Sequence, residues 1–268
     1  DAHALAEDFS KAQLKHEISQ SASSEEATEQ TISLEERYML LDELLKSNDY
    51  QTVERNCTIS LDASDKDGET SWEIRRTNTL ENDLVGGLMN NLTDPDILSP
   101  EDTILVYLNT LKNMSTEELG NYLNADSIIS TEDPAKISLA EALVKQVHST
   151  FDYSIGETTV SGYTATVTAN ITTFDSDAIL ENYQKELDTY LASVDAVIDG
   201  AQKRYEKSYS LLLEYIEENT ATKTVETTFT LINDGASWKL EDAGTVFGQA
   251  LFGTLSSSPV EDNQETNG

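Results

Sequence analysis

An α+β fold built from a repeated helix–hairpin module is predicted by three observations. Two stretches of the chain say nearly the same thing, "DGETSWEIRRT" at 67–77 and "DGASWKLEDAGT" at 234–245. Ahead of each, apolar and polar residues alternate, which marks a strand with one buried face. Ahead of each strand, apolar residues recur at helical spacing.

The repeat can be followed residue by residue. Leu40, Leu41, Leu44, Thr52, Val53 and Glu54 fall on Leu212, Leu213, Ile216, Thr224, Val225 and Glu226, at an offset of 172. "SWEI" (71–74) then falls on "SWKL" (237–240), and the lower offset of 166 predicts a first hairpin loop longer by six residues. Val53, Cys57, Ile59 and Leu61 should share one buried face, as should Val225, Phe229 and Leu231. Trp72 and Ile74, like Trp238 and Leu240, should continue that face on the return strand. "KDG" and "NDG" supply residues that accept the positive φ of a hairpin turn. Beyond each hairpin, "DLVGGLMNNL" (83–92) and "VFGQALFGTL" (246–255) are similar in pattern.

Between the copies lies a longer run. A helix over 98–113 has Ser99 as its N-cap, Pro100 at its first position and acidic residues in its first turn. Ile104, Tyr107, Leu108 and Leu111 form its apolar stripe. Ser115 and Glu118 make a capping-box pattern for a helix over 115–123, and 137–148 is a third helix. Residues 151–174 read as a second hairpin, with Phe151, Tyr153 and Ile155 alternating, then Tyr163, Ala165, Val167, Ala169 and Ile171. "GETTVSG" (156–162) reads as its turn. A helical insertion over about 177–217 leads into the repeated hairpin.

The predicted layout is therefore a first module over 1–92, a linker over 93–99, a second module over 100–256 and a disordered tail over 257–268. The first module contains only the second half of the pattern, with "FSKAQLKHE" (9–17) answering "FDSDAILENYQKE" (174–186). It is expected to be N-terminally incomplete, with native sequence before Asp1. Pro95 and Pro100 make the linker stiff, so the modules should keep a fixed angle.

With 17 Lys+Arg against 50 Asp+Glu, the net charge is −33. Nucleic acid and anionic lipid would be repelled, since phosphate binding needs clustered basic side chains; "KRYEK" (203–207) is the nearest approach and Glu206 breaks it. One cysteine, Cys57, excludes an internal disulfide. No 18-residue apolar run is present, and the opening "DAHALAEDFSK" has no signal-peptide pattern.

"FDYSIGETTVSGYTATVTANITTFD" (151–175), the helical insertion and "TVETTFTLINDGASWKL" (224–240) together resemble a group of uncharacterised lipoproteins of Gram-positive bacteria. The resemblance covers about 98–256 well and 33–92 in part. It implies two tandem cystatin-like modules, related to the nuclear-transport-factor-two-like fold, with helices packed on a curved antiparallel sheet. It also implies a protein anchored outside the membrane through a lipobox cysteine, which this chain does not contain.

Candidate chemistry is sparse. "DASDKDGETSWE" (62–73) superficially suggests a calcium loop, but with Gly68 sixth the first and twelfth positions are Ala63 and Ile74, neither a ligand. His3, His16 and His148 stand apart from one another and from Cys57, so zinc is not expected. Cys57 should be a core thiol and not a nucleophile, which needs a positive, accessible setting. "GETTVSG" and "LVGGLM" (84–89) lack any nucleotide-loop spacing. The acidic runs at 23–30 and 259–266 should be solvated. The glycosylation triplets at Asn56, Asn91, Asn113 and Asn170 matter only in a eukaryotic secretory pathway.

No catalytic, cofactor-binding or metal-ligating residue is assigned and no cofactor is expected. The expected function is a non-catalytic extracellular binding or scaffold protein of the bacterial cell surface, with a protein, peptide or glycan partner. The competing reading is a proton-transfer enzyme of isomerase or dehydratase type. It would need Tyr107, Tyr122, Tyr153, Tyr163 and Trp238 to line an open cone with an inward carboxylate; Asp152 and Glu157 should face out. A filled cone favours the binding protein. A third possibility is a structural spacer that holds another domain away from the membrane.

Overall fold

The computed structural model describes residues 1–22, 32–54, 56–66, 68–123, 125 and 134–256. The acidic run at 23–30 and the tail at 257–268 lie outside the described residues. The architecture is α+β with two antiparallel sheets, one of two strands and one of four.

The second repeat holds most of the core. Helix α5 (Pro100–Asn113) starts at Ser99, whose side chain accepts from the Asp102 amide, with Pro100 in the first turn. Pro costs nothing there because its missing N–H would have no helical partner. Helix α6 (Thr116–Tyr122) carries the Ser115–Glu118 capping box in full, and α7 (Pro134–Thr150) extends past both predicted ends of the third helix. Strands β3 (Asp152–Ser161) and β4 (Thr164–Phe174) form the second hairpin. Its turn is the residue pair Gly162–Tyr163. The sequence "GETTVSG" is mostly strand rather than turn, and the ladder shifts register between Ile155 and Thr158. Gly156 is required at that bulge, since a Cβ there would sit 2.4 Å from Thr168 Oγ1 and 3.2 Å from the Thr168 carbonyl oxygen.

The predicted insertion is a helical pair, α8 (Ser176–Leu191) and α9 (Val194–Glu218). Strand β5 (Thr222–Asn233) then pairs with β4 along its whole length, Thr164 opposite Ile232 and Phe174 opposite Thr222. Strand β6 (Trp238–Leu240) closes the sheet in the order β3-β4-β5-β6, and α10 (Ala243–Phe252) returns over β4 and β5. Inward residues alternate along β4 as expected, with Ala165, Val167, Ala169 and Ile171 all buried. On β5, Phe229 and Leu231 are buried, but Val225 is exposed, because β6 pairs with β5 only from Leu231 to Asn233 and leaves Val225 on the edge of the sheet.

The first repeat has the same elements with a different fate. Helix α1 (Ala2–Ser21) packs on α5 and α6, and its Ile18 joins the core of the second repeat. Helix α2 (Leu34–Ser47), with a Ser33–Glu36 capping box, leans on α1 and has no buried residue. Strands β1 (Leu61–Lys66) and β2 (Glu69–Ile74) form an isolated hairpin, followed by α3 (Asn78–Leu84) and α4 (Leu88–Asn91). Positive φ at Gly86 and Gly87 lets the chain turn between those two short helices.

The hairpin register corrects the predicted correspondence by two residues. Leu61 pairs with Ile74 as Leu231 pairs with Leu240, so Leu61 answers Leu231, Ile59 answers Phe229 and Cys57 answers Thr227. A shift of two keeps every side chain on its predicted face. The extra residues of the first hairpin lengthen its ladder and do not enlarge its loop, since pairing continues to Lys66 and Glu69.

Candidate functional site

The first place to look is the space between helices and sheet in the second repeat. Phe247 of α10 sits 5.2 Å from the Phe229 ring, 5.9 Å from Tyr107 and 6.5 Å from Tyr122. Phe229, Leu231, Ile104, Leu108 and Phe247 are each completely shielded from solvent. This aromatic and aliphatic plug occupies the volume that a pocket in the cone would need.

The five candidate lining residues do not converge. Tyr107 and Tyr122 are half-buried around Phe247. Tyr153 is half-buried at the margin of the core beside Phe151, with its hydroxyl donating to Asn109 Oδ1 at 2.7 Å and Lys112 Nζ 5.6 Å from its ring. Tyr163 is in the β3–β4 turn and exposed. Trp238 is buried, and its indole Nε1 donates to Asp96 Oδ1 at 2.9 Å. Asp152 and Glu157 face out as expected, Asp152 within 2.5 Å of Lys112 Nζ.

Protonation tells the same story. Burial pushes the Tyr107 phenol up to about 12, with the Glu17 charge adding to it. Burial lifts Tyr122 as well. Although Glu17 is exposed by surface area, protein crowding one side of its carboxyl raises its pKa, with Lys239, His16 and Arg37 acting in the opposite direction. Phenols held this high are neutral at physiological pH and are weak proton donors there.

The Asp96 contact is the notable feature of the predicted linker. One carboxylate oxygen accepts from Trp238 and also from Asn233 Nδ2 at 3.1 Å, which ties residues 93–99 to the end of the second-repeat hairpin. At the same turn, Lys239 and the Ala236 and Ser237 amides hold the Asp234 carboxyl down to about 2. Asp96→Ala strands two donors, so it should destabilise the protein by about 1–2 kcal/mol, a hydrogen bond to a charged acceptor being worth that much when lost. Urea denaturation followed by tryptophan fluorescence checks this; an unchanged midpoint would mean that Asp96 merely decorates the hairpin.

The second place is the face of the first repeat. Strand pairing puts Leu61, Ala63, Asp65, Thr70, Trp72 and Ile74 on one side of the β1–β2 ribbon and Asp62, Ser64, Glu69, Ser71 and Glu73 on the other. This is the pattern of a sheet with one buried face, yet among the described residues neither face is covered. Trp72 is 64% exposed, Ile74 57% and Leu61 51%. Val53 and Ile59 are exposed just before β1, and Leu34, Tyr38, Met39 and Leu45 are exposed along α2. Leu34, Glu35, Tyr38, Met39 and Asp42 line a shallow depression of about 520 Å³.

Two expectations are corrected here. Cys57 is exposed and is not a core thiol. Trp72 does not plug its repeat as Trp238 does. For Trp72 the parity was read correctly, but the covering elements that the second repeat supplies, α5, α10 and β4, have no counterpart on the first hairpin among the described residues; Cys57 lies in a stretch before β1 that forms no strand. Of the three histidines, His16 Nε2 lies 2.8 Å from Gln20 Nε2 and His148 Nε2 3.1 Å from the Met114 carbonyl oxygen. Gly68, at φ 84°, stands in the β1–β2 turn where the calcium-loop reading would have placed its sixth residue.

No family model and no curated protein matches the chain. Among solved structures it is similar to a candidate lipoprotein, ycdA, from Bacillus subtilis, with a TM-score of 0.32 and 13% identity, over 70% of this chain and 64% of that one. The chain thus spans less than two thirds of that protein's resolved length, and a likeness of this size supports no argument about activity.

Proposed function

We propose that this is a non-catalytic binding or scaffold protein of the bacterial cell surface, built of two cystatin-like modules, with the first hairpin and helix α2 as its binding face. The observation that carries the reading is the contrast between two equivalent tryptophans: Trp238 is 6% exposed and Trp72 is 64% exposed. A large accessible aromatic is the side chain on which interface energy most often concentrates. Leu61, Trp72 and Ile74 share one exposed face of the ribbon, and grouped exposed apolar residues mark binding sites more often than singly scattered ones do. The filled interior of the second repeat supports binding over proton transfer.

The partner class is a protein, peptide or glycan. Attachment to the outer face of the membrane through a lipid anchor belongs to the same proposal and follows from the lipoprotein resemblance. Among the described residues, no helix is long and apolar enough to cross a membrane.

The test is a screen of the full chain against peptide and glycan libraries, run beside Trp72→Ser. Ligands of the wild type should bind the variant at least about tenfold more weakly. Equal binding by both would move the site away from the hairpin. Turnover of a hydroxy- or keto-acid panel that is lost in Glu17→Gln would instead establish the proton-transfer reading.

A further inference from the structure

We infer that the outer edge of β1 accepts an antiparallel strand from a cationic polypeptide, one whose apolar and basic residues alternate. The inference deepens the binding reading above and rests on it. Its starting point is the hydrogen-bond accounting of the first hairpin. The Arg75 amide donates to the Ser60 carbonyl at 2.9 Å, so Ser60, Asp62 and Ser64 form the bonded pairs of the ladder. In an antiparallel pair such residues alternate with ones whose N–H and C=O point away. Leu61, Ala63 and Asp65 therefore present their backbone groups on the free edge of β1.

The second repeat shows those same positions in use. By the observed register, Ala63 answers Asn233, and the Asn233 amide donates to the Tyr163 carbonyl at 2.8 Å. Strand β4 occupies that edge of β5 from Thr222 to Ile232, whereas residues 52–54 and 56–60, the counterparts of that stretch, form no strand. Among the described residues, the first hairpin is thus a copy of the β5–β6 pair without a counterpart of β4. A two-stranded ribbon alone is marginally stable in water, and an open edge is a template for pairing.

Charge selects among occupants. A strand seated on this edge would place alternate side chains beside Leu61, Ala63 and Asp65, with Trp72 and Ile74 one strand farther in on the same face, and the others beside Asp62 and Ser64, with Glu69 and Glu73 one strand farther in. Asp62 is already paired with Arg75, so lysine or arginine on that face answers Glu69, Glu73 and the net charge of −33, while apolar residues fit the face of Leu61 and Trp72. A second copy of this chain is disfavoured, because two bodies each carrying −33 repel at long range.

The probe is a synthetic nonapeptide of alternating lysine and valine, titrated into the full chain. Two changes remove strand pairing while leaving charge and apolar contact in place. Ala63→Pro deletes an edge N–H that β2 does not use, and N-methylation of the peptide along one edge deletes its donors without altering the protein. Each should weaken binding at least about tenfold, as should Trp72→Ser. Raising the salt should weaken binding of the unmodified peptide as well. Loss with Trp72→Ser but not with Ala63→Pro or N-methylation would leave the apolar face standing and overturn strand addition. Binding that survives all three changes would overturn strand addition and move the site away from the hairpin, whereas an absence of binding would overturn the cationic-strand inference and leave the binding reading to the library screen. A concentration-dependent dimer that Ala63→Pro dissolves would assign the edge to a second copy and overturn the cationic partner.

Discussion

Phe247→Ala is expected to lower stability by about 3–5 kcal/mol, the range for removing a phenyl group from a packed core. In a chain of this size that corresponds to a fall in melting temperature of roughly 6–20 °C. The reason is local. Phe247 is fully buried and touches the rings of Phe229, Tyr107 and Tyr122, so its loss opens a cavity bounded by a sheet strand and two helices. None of these can move inward without breaking other contacts. Trp72→Ala removes a larger side chain and is expected to change stability by less than about 0.5 kcal/mol, since an exposed residue loses little on truncation. Differential scanning calorimetry on the two variants decides the matter. If Trp72→Ala costs as much as Phe247→Ala, the first hairpin is buried in solution and the binding face proposed for it does not exist.

That pair of variants also marks how far the sequence could be read. The capping residues Ser99, Ser115 and Glu118 act within a few residues of themselves, so their pattern and their structure agree. The alternation in 151–174 and the two copies of "DG…SW" located all three hairpins for the same reason, because strand periodicity is a property of the segment. What periodicity cannot contain is the neighbour. Trp72 and Trp238 have the same local pattern, and one is exposed only because nothing among the described residues lies over it. Cys57 failed because the stretch before Leu61 forms no strand at all. Val225 failed differently: its strand is paired with β4, but β6 stops short of it and leaves it on the sheet edge. The bulge at Gly156 was misread as a turn because glycine signals either, and only the clash of a Cβ with Thr168 tells them apart. The proposed binding face sat in plain view in the sequence as a buried face, and recognising it needed the structure's evidence that its cover is absent.

The role of α1 is the other feature that no local pattern revealed, and it yields the second large effect. Ile18→Asp is expected to cost about 3–5 kcal/mol. Ile18 is 3% exposed and belongs to the core of the second repeat, although it stands in the first 92 residues. A carboxylate there must either lose its hydration without a partner or drive α1 off α5 and α6, and burying an uncompensated charge carries a cost of this order. The two routes separate by amide hydrogen exchange. Displacement of α1 should bring its amides to near-free exchange and should also speed exchange in α5, whose surface it covers. Ile18→Ala, which removes contact but adds no charge, should show the same pattern to a smaller degree. If α1 amides exchange freely in the wild type already, the helix does not dock and the first repeat hangs on the linker alone. If instead they are protected and Ile18→Asp releases them, α1 is the brace that holds α2 and α4 of the first repeat on the second. That matters to the proposed function, because the exposed residues of α2 belong to the proposed binding face, and a face held on a rigid body loses less conformational entropy on binding than one at the end of a flexible tether.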